Sequence, residues 1–541
     1  MLDSKAKEKI LVFAIILGAI ILTSLPYFTG LWLANGNYFL GSNHLNSADV
    51  NVYLFNIEQA KDGFFLFSNL HTSEIQRNVF IAPLWLLLGL LAALFKLNSV
   101  FIYQLARMLA VFIFLYFIYY YFLNIFFSKS AQKLIALFLI TFSSGLGLFF
   151  KPITSGLILD EKYILSHFPV DLIIPDAVTF LALAHSALFI LSQLLILAVF
   201  YLLLKKEQKF FYWALLFFMG LIIGLMHPYD LFIISGVIFC YFILGLIFRS
   251  WQLLGEIKIF IFKCLAFSLG VLPAIFYYYY IVRSQTALWG WFTQNICLSP
   301  PFGSYLIAYA PLIILALPTI YWAKEIDKRA FCFLWCWILS EFVIIYLPFG
   351  FQRRLVATLH LALAILASYT AIKVLDYLKN FSAVKILNYL ALVLIGIFIC
   401  LSNFSFLTTA IYDYLTIPQY FYFPQKYYQA SLWLRNNSQK QDGLLASSLN
   451  GTILPAICAR PVFYGHKHLT VDSSTKRELL DNWFFKDNNQ DQQKKEFLQK
   501  YNLKYIFYTD REKDLGDYNL AAADFLAQVY ANEEVIIYKV K

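Results

Sequence analysis

Apolar runs of membrane-spanning length recur along the chain from residue 10 to about residue 402. A helix needs roughly 20 apolar residues to cross a hydrocarbon core of about 30 Å. In lipid, backbone polar groups are satisfied only within helices or closed barrels, and continuous rather than alternating apolar runs select the helix. Composition agrees: 60% of the 541 residues are hydrophobic and 14% charged, against about 25% charged in a soluble protein, and mean hydropathy is +0.66. The net charge of +10 does not signal nucleic acid, because the positives fall mostly in short loops between spans, where they set topology. Six of the seven Cys lie in or beside apolar runs and Cys458 stands alone in the C-terminal region. Neither a disulfide framework nor a zinc cluster is expected. The opening MLDSKAKEK resembles the start of a signal peptide, but no small-residue cleavage site follows, which suggests an uncleaved anchor.

Lys5, Lys7 and Lys9 predict a cytoplasmic N-terminus, and residues 10–28 then cross outward. Later basic loops at Lys129/Lys133, Lys205/Lys206/Lys209, Arg249/Lys258, Lys324/Lys328/Arg329 and Lys373/Lys379/Lys385 are cytoplasmic on the same count. The spans between them pair: 134–150 with 179–204, 210–226 with 229–248, 258–282 with 304–322, and 331–348 with 355–377. A last span near 385–402 exits. Residues 80–97, with Pro83 near one end and Lys96 near the other, fit as a partial or re-entrant helix. The expectation is an α-helical polytopic membrane protein of about 11 to 13 transmembrane helices. Residues 1–406 form the membrane domain, whose first outer loop, 29–80, carries interfacial helices; residues 407–541 form a small α/β domain outside. In that tail 426–438 reads as an amphipathic helix, 475–501 as helical, and 444–448, 504–509 and the terminal EVIIYKV as strands.

On this topology the loops 29–80, 151–178, 227–230, 283–303 and 349–354 open to one side, and they hold most of the chain's candidate chemistry. Asp49 follows the first span closely, with Tyr53 and Asn56 on its helical face and Glu58, Gln59 and Asp62 further round. Asp171 and Asp176 precede a helix that carries His185; carboxylates there can also simply complement a helix N-terminus. His227-Pro228-Tyr229-Asp230 joins two apolar helices at bilayer-edge depth, where ionisable groups are usually partnered. Arg353 and Arg354 stand together at a helix end, with His360 about two turns on. Paired arginines suit bidentate contact with phosphate, or they snorkel to headgroups. Arg107, inside an apolar run, needs a partner, and Glu341 is a candidate. His466 and His468 form a His-x-His that could ligate metal, but no third ligand is in sight; otherwise they belong to a docking loop.

This pattern resembles the GT-C superfamily of integral membrane glycosyltransferases, which includes protein mannosyltransferases, aminoarabinose transferases and oligosaccharyltransferase catalytic subunits. Asp49 matches the family's acid in the first outer loop. The interfacial segment around it, SSGLGLF at 143–149, the apolar LWLLLGLLAALF after the loop and the α/β tail resemble members as well. Most members pair two acids in that loop, whereas here Val50 follows Asp49; no cofactor is certain, and a divalent metal stays open. The resemblance implies transfer of a sugar from a polyprenyl-phosphate-linked donor to a glycan, lipid or protein acceptor on the outer face of the cytoplasmic membrane. It casts Asp49 as general base with inversion at the sugar carbon, and Arg353, Arg354 and His227 on the donor phosphate. Tyr53, Glu58, Asp171, Asp176, His185, Asp230 and His360 are then lining residues. A transporter or flippase of lipid-linked glycans is the rival reading, which calls for ionisable pairs near mid-membrane and inverted repeats. A non-catalytic glycan-assembly protein is the third.

Overall fold

A computed structural model describes residues 3–150, 161–205, 207, 209–247, 254–379, 393–487 and 490–541. Among them, 8 helices are long and apolar enough to cross a membrane: Lys5–Trp32, Ser99–Ile125, Ser130–Phe150, Ala187–Leu204, Asp230–Ile247, Glu256–Ser284, Phe302–Ile320 and Gln352–Leu378. Pro83–Leu94 and Phe210–Met226 are shorter apolar helices. The first part of the 151–178 loop and much of the expected span 385–402 lie outside the described residues. The architecture is a polytopic helical membrane fold with a four-stranded sheet near the C-terminus and a two-stranded one pairing Tyr38–Phe39 with Tyr422–Phe423.

The chain clusters into two compact units, whose boundaries fall elsewhere than the composition boundary at 406/407. The first comprises residues 1–26, 104–275 and 297–413. Its interior is apolar, so each ionisable group there must find partners. Arg107 is fully buried and donates to Thr23 Oγ1 at 3.2 Å, Ser24 Oγ at 2.8 Å and the Leu183 carbonyl at 3.1 Å. Glu341, the candidate partner, does not pair with Arg107. Glu341 instead accepts from Trp337 Nε1 at 2.6 Å and from the Thr358 hydroxyl. Hydroxyl and carbonyl oxygens serve the guanidinium, and an indole N–H and a hydroxyl serve the carboxylate, so neither needs the other.

The second unit gathers residues 27–103, 276–296 and 414–541. It holds a four-stranded sheet in which Gly443–Leu445 runs parallel to Leu503–Tyr508, which pairs antiparallel with Ile536–Val540, which pairs antiparallel with Leu526–Ala531. The strands arise at the β-rich stretches of the tail because alternate residues serve opposite faces. Tyr505 and Phe507 enter one apolar cluster with Leu434 and Ile453, while Ile506 enters another with Phe484 and Phe497. Helices on both faces make this an α/β layer: Gln425–Asn437 and Ser448–Cys458 on one, and the segments Leu480–Phe484 and Asp491–Lys500 on the other.

The Asp49–Lys61 helix is buried along much of its length, including Leu54, Phe55, Ile57 and the polar Asn56, Glu58 and Gln59. Pro83–Leu94 packs on it. Proline at the first helical position lacks an N–H that would go unbonded there anyway. Twelve residues rise about 18 Å, well short of a hydrocarbon core of about 30 Å, as a partial helix requires. The two helices touch at Gly89, where an added Cβ would sit 2.3 Å from Ala60 Cβ and 2.6 Å from the Ile57 carbonyl. Gly89→Val should therefore push them apart and lower stability by roughly 1–3 kcal/mol, read as a lower unfolding temperature in detergent. An unchanged midpoint would contradict this packing.

Candidate functional site

Two groups of polar side chains stand out, one in each unit. In the first unit, His227 ends the Phe210–Met226 helix and Asp230 begins Asp230–Ile247. His227 Nδ1 lies 2.7 Å from Asp230 Oδ1, and Ser192 Oγ donates to Asp230 Oδ2 at 2.5 Å. The carboxylate is an acceptor, so Nδ1 carries the proton and Nε2 is left for something else. That Nε2 is buried without a hydrogen-bond partner. Arg353 and Arg354 sit on the short turn Gln352–Val356, which is fastened by the Arg353 peptide N–H to the Cys297 carbonyl at 3.1 Å. The Arg353 guanidinium reaches Cys297 Sγ at 3.7 Å, and that of Arg354 lies 5.1 Å over the Tyr229 ring.

Asp176 belongs to the same group. It is 6% exposed, and its Oδ1 is buried with no hydrogen-bond partner. Burial pushes its carboxyl up to about 6; the positive charges of Arg354, His227 and Arg353 oppose the rise, and Asp230 adds to it. Two buried unpartnered polar atoms beside two half-buried arginines leave capacity that the fold itself does not use. Such atoms are rare in native proteins and expensive unless a ligand or water serves them.

The remaining expected lining residues of this unit are buried within the fold. Asp171 is fully buried, and its Oδ2 accepts from the peptide N–H groups of Gly145 at 3.1 Å and Gly147 at 3.0 Å, pinning that turn. His360 bridges Thr179 Oγ1 at 2.9 Å and Ser143 Oγ at 3.1 Å. His185 is buried edge-on to Phe189, ring centroids 4.5 Å apart.

In the second unit, Asp49 is the first residue of its helix, and its side chain is 50% exposed. His466 Nε2 stands 3.4 Å from Asp49 Oδ1. The His466 ring lies nearly parallel to that of His71, with centroids 6.1 Å apart, and 5.6 Å from that of His468. His71 is fully buried, which pushes it down to about 3 and keeps it neutral; its Nε2 lies 3.1 Å from the Thr452 carbonyl. His468 Nδ1 lies 3.2 Å from the Gln294 carbonyl. The sequence offered the His-x-His motif but no signal that it meets Asp49 across more than 400 positions of chain. Tyr53 stacks on Trp85 at 4.5 Å. Glu58 pairs with Arg435 at 2.7 Å, and Arg435 also reaches Asp62 at 2.5 Å. Among the described residues, no group of three or more His, Cys, Asp or Glu is arranged to hold a metal ion.

The raised Asp176 carboxyl has a measurable consequence. Between pH about 4 and about 6 the folded protein keeps a proton that the unfolded chain releases. Stability attributable to this group therefore falls as pH rises through that window and is flat above it. Asp176→Asn removes the loss. At pH 7 the variant should be more stable by roughly 3 kcal/mol, with the difference vanishing below pH 4. Equal unfolding midpoints at pH 7 would contradict it.

No protein-family model and no curated protein matches the chain by sequence. Solved structures do match by fold. The oligosaccharyltransferase of Archaeoglobus fulgidus, solved tethered with an acceptor peptide containing the NVT sequon, superposes with a TM-score of 0.53 at 12% identity, covering 98% of this chain and 74% of that one. ArnT from Cupriavidus metallidurans in the apo state gives a TM-score of 0.50 at 12% identity, covering 99% of this chain and 98% of that one. At such identities the likeness is one of architecture: the chain shares the fold of these two solved membrane proteins.

Proposed function

We propose that the protein transfers a sugar from a polyprenyl-phosphate-linked donor to a hydroxyl or amide of a glycan, lipid or protein acceptor, on the outer face of the cytoplasmic membrane. The observation that carries this reading is the group formed by Arg353, Arg354, His227 and Asp176. Two guanidiniums beside the buried, unpartnered His227 Nε2 suit a phosphate at the membrane edge. When protonated at both nitrogens, His227 can donate Nε2–H to a phosphate oxygen while Nδ1–H stays on Asp230. The GT-C fold adds support, since its solved examples include glycosyltransferases.

In this reading Asp49 is the general base. Its carboxylate takes the proton from the acceptor as the acceptor atom attacks the sugar C1 from the face opposite the phosphate. The C1–O bond to phosphate breaks, its electron pair leaves with the polyprenyl phosphate, and the arginines and His227 balance the charge that develops there. One displacement inverts the configuration at C1. The Asp171 and His360 side chains support the framework.

The test uses purified full-length protein with a panel of synthetic polyprenyl-phosphate-linked monosaccharides, following release of polyprenyl phosphate by mass spectrometry. Asp49→Asn should lower the turnover number roughly 10²- to 10⁴-fold, while Arg353→Ala and Arg354→Ala should chiefly raise the donor KM. Wild-type turnover by Asp49→Asn would overturn the base assignment. No release from any donor by the wild type would overturn the transfer reading.

A further inference from the structure

The tail delivers one imidazole to the Asp49 carboxylate, and the proton on that imidazole is located by its neighbours. The peptide N–H of His468 donates to His466 Nδ1 at 3.2 Å. A ring nitrogen that accepts a hydrogen bond carries no proton, so in the neutral ring the proton sits on Nε2. Nε2 is the atom that faces Asp49 Oδ1 at 3.4 Å. That separation is long for a hydrogen bond, as contacts in unliganded sites often are before they tighten around substrate. The bond from His468 also takes His466 Nδ1 away from metal ligation.

The surroundings hold the ring in place. His466 is only 13% exposed at its side chain. Its carbonyl accepts the peptide N–H groups of Leu469 and Thr470, each at 2.9 Å. Thr470 Oγ1 donates to the His71 carbonyl at 2.8 Å, and the Val462 peptide N–H donates to the Leu70 carbonyl at 3.0 Å, fastening the segment to the first loop. Gly451 permits the approach: a Cβ there would lie 2.0 Å from the Tyr464 carbonyl. His71 lies parallel to His466 and adds no charge, because burial keeps it neutral.

We infer that His466 is a positioning residue for the transfer reaction: its Nε2–H, fixed by the His468 peptide, orients the Asp49 carboxylate toward the acceptor. The inference rests on the reading of Asp49 as base. A neutral donor on Oδ1 holds the plane of the carboxylate. A permanent cation at the same place would instead form an ion pair and weaken the carboxylate as a base. The proton moves from acceptor to Asp49 and His466 keeps its own.

Three variants of the full-length protein test this in the polyprenyl phosphate release assay. His466→Ala should lower the turnover number roughly 10- to 100-fold, with the donor KM unchanged and the unfolding midpoint retained. His466→Gln, whose amide N–H reaches the same place, should recover most of the rate. His466→Arg should not. The inference is overturned if His466→Ala turns over at the wild-type rate while Asp49→Asn is inactive. It is also overturned if Gln recovers no more than Ala, or if the loss appears in the donor KM. Wild-type activity in Asp49→Asn itself defeats the base reading instead, so the two failures are distinguishable.

Discussion

Arg435 ties the tail to the Asp49–Lys61 helix, and the placement of Asp49 depends on that tie. Its guanidinium spans Glu58 at 2.7 Å and Asp62 at 2.5 Å and also donates to the Ile457 carbonyl at 2.9 Å. The three side chains are 20%, 10% and 22% exposed. Exposed ion pairs contribute about 0–1 kcal/mol, but removing one member of a largely buried pair costs about 3–5 kcal/mol because its partner is left desolvated. The helix is thus held at its C-terminal end by a charge clamp and along its side by the close contact at Gly89. Its first residue, Asp49, is carried into register with the His466 loop. Secondary-structure propensity contributes little here, since a 13-residue helix is marginal alone in water.

Buried polar groups sort into two kinds by whether the fold consumes them. His360, Glu341 and Arg107 are each spent on peptide groups, hydroxyls or an indole within the first unit, and Asp171 spends its Oδ2 on two peptide groups. They specify the packing of an otherwise apolar interior. Asp176 Oδ1 and His227 Nε2 are not spent. A carboxyl kept near 6 and an imidazole pinned on one side by Asp230 are groups held ready. Asp171 Oδ1 is buried without a hydrogen-bond partner too; what sets Asp176 apart is the pair of arginine charges beside it.

Much of the fold was legible because it depends on local composition. Apolar runs mark the spans, and β-branched and aromatic residues in 504–509 and at the C-terminus mark strands that pair as Ile506 with Tyr538. The short apolar helix at 83–94 was foreshadowed by Pro83 and Lys96. Asp49 stood out through its position after the first span. What stayed hidden depends on pairing at long range. Nothing local says that Arg435 seeks Glu58, that His466 meets Asp49, or that Arg107 is satisfied by Thr23 and Ser24 rather than by Glu341. The division into units was hidden for the same reason, because the second unit assembles three separated stretches of chain.

The central claim is that Arg353, Arg354 and His227 form a site for a lipid phosphate. The most direct measurement is native mass spectrometry of the protein released from detergent, with the bound lipid identified by fragmentation. The account predicts one polyprenyl phosphate, free or sugar-bearing, per wild-type chain, and its loss from the Arg353→Ala/Arg354→Ala double variant. Bulk phospholipid alone on the wild type, or a polyprenyl phosphate retained equally by the double variant, would contradict it.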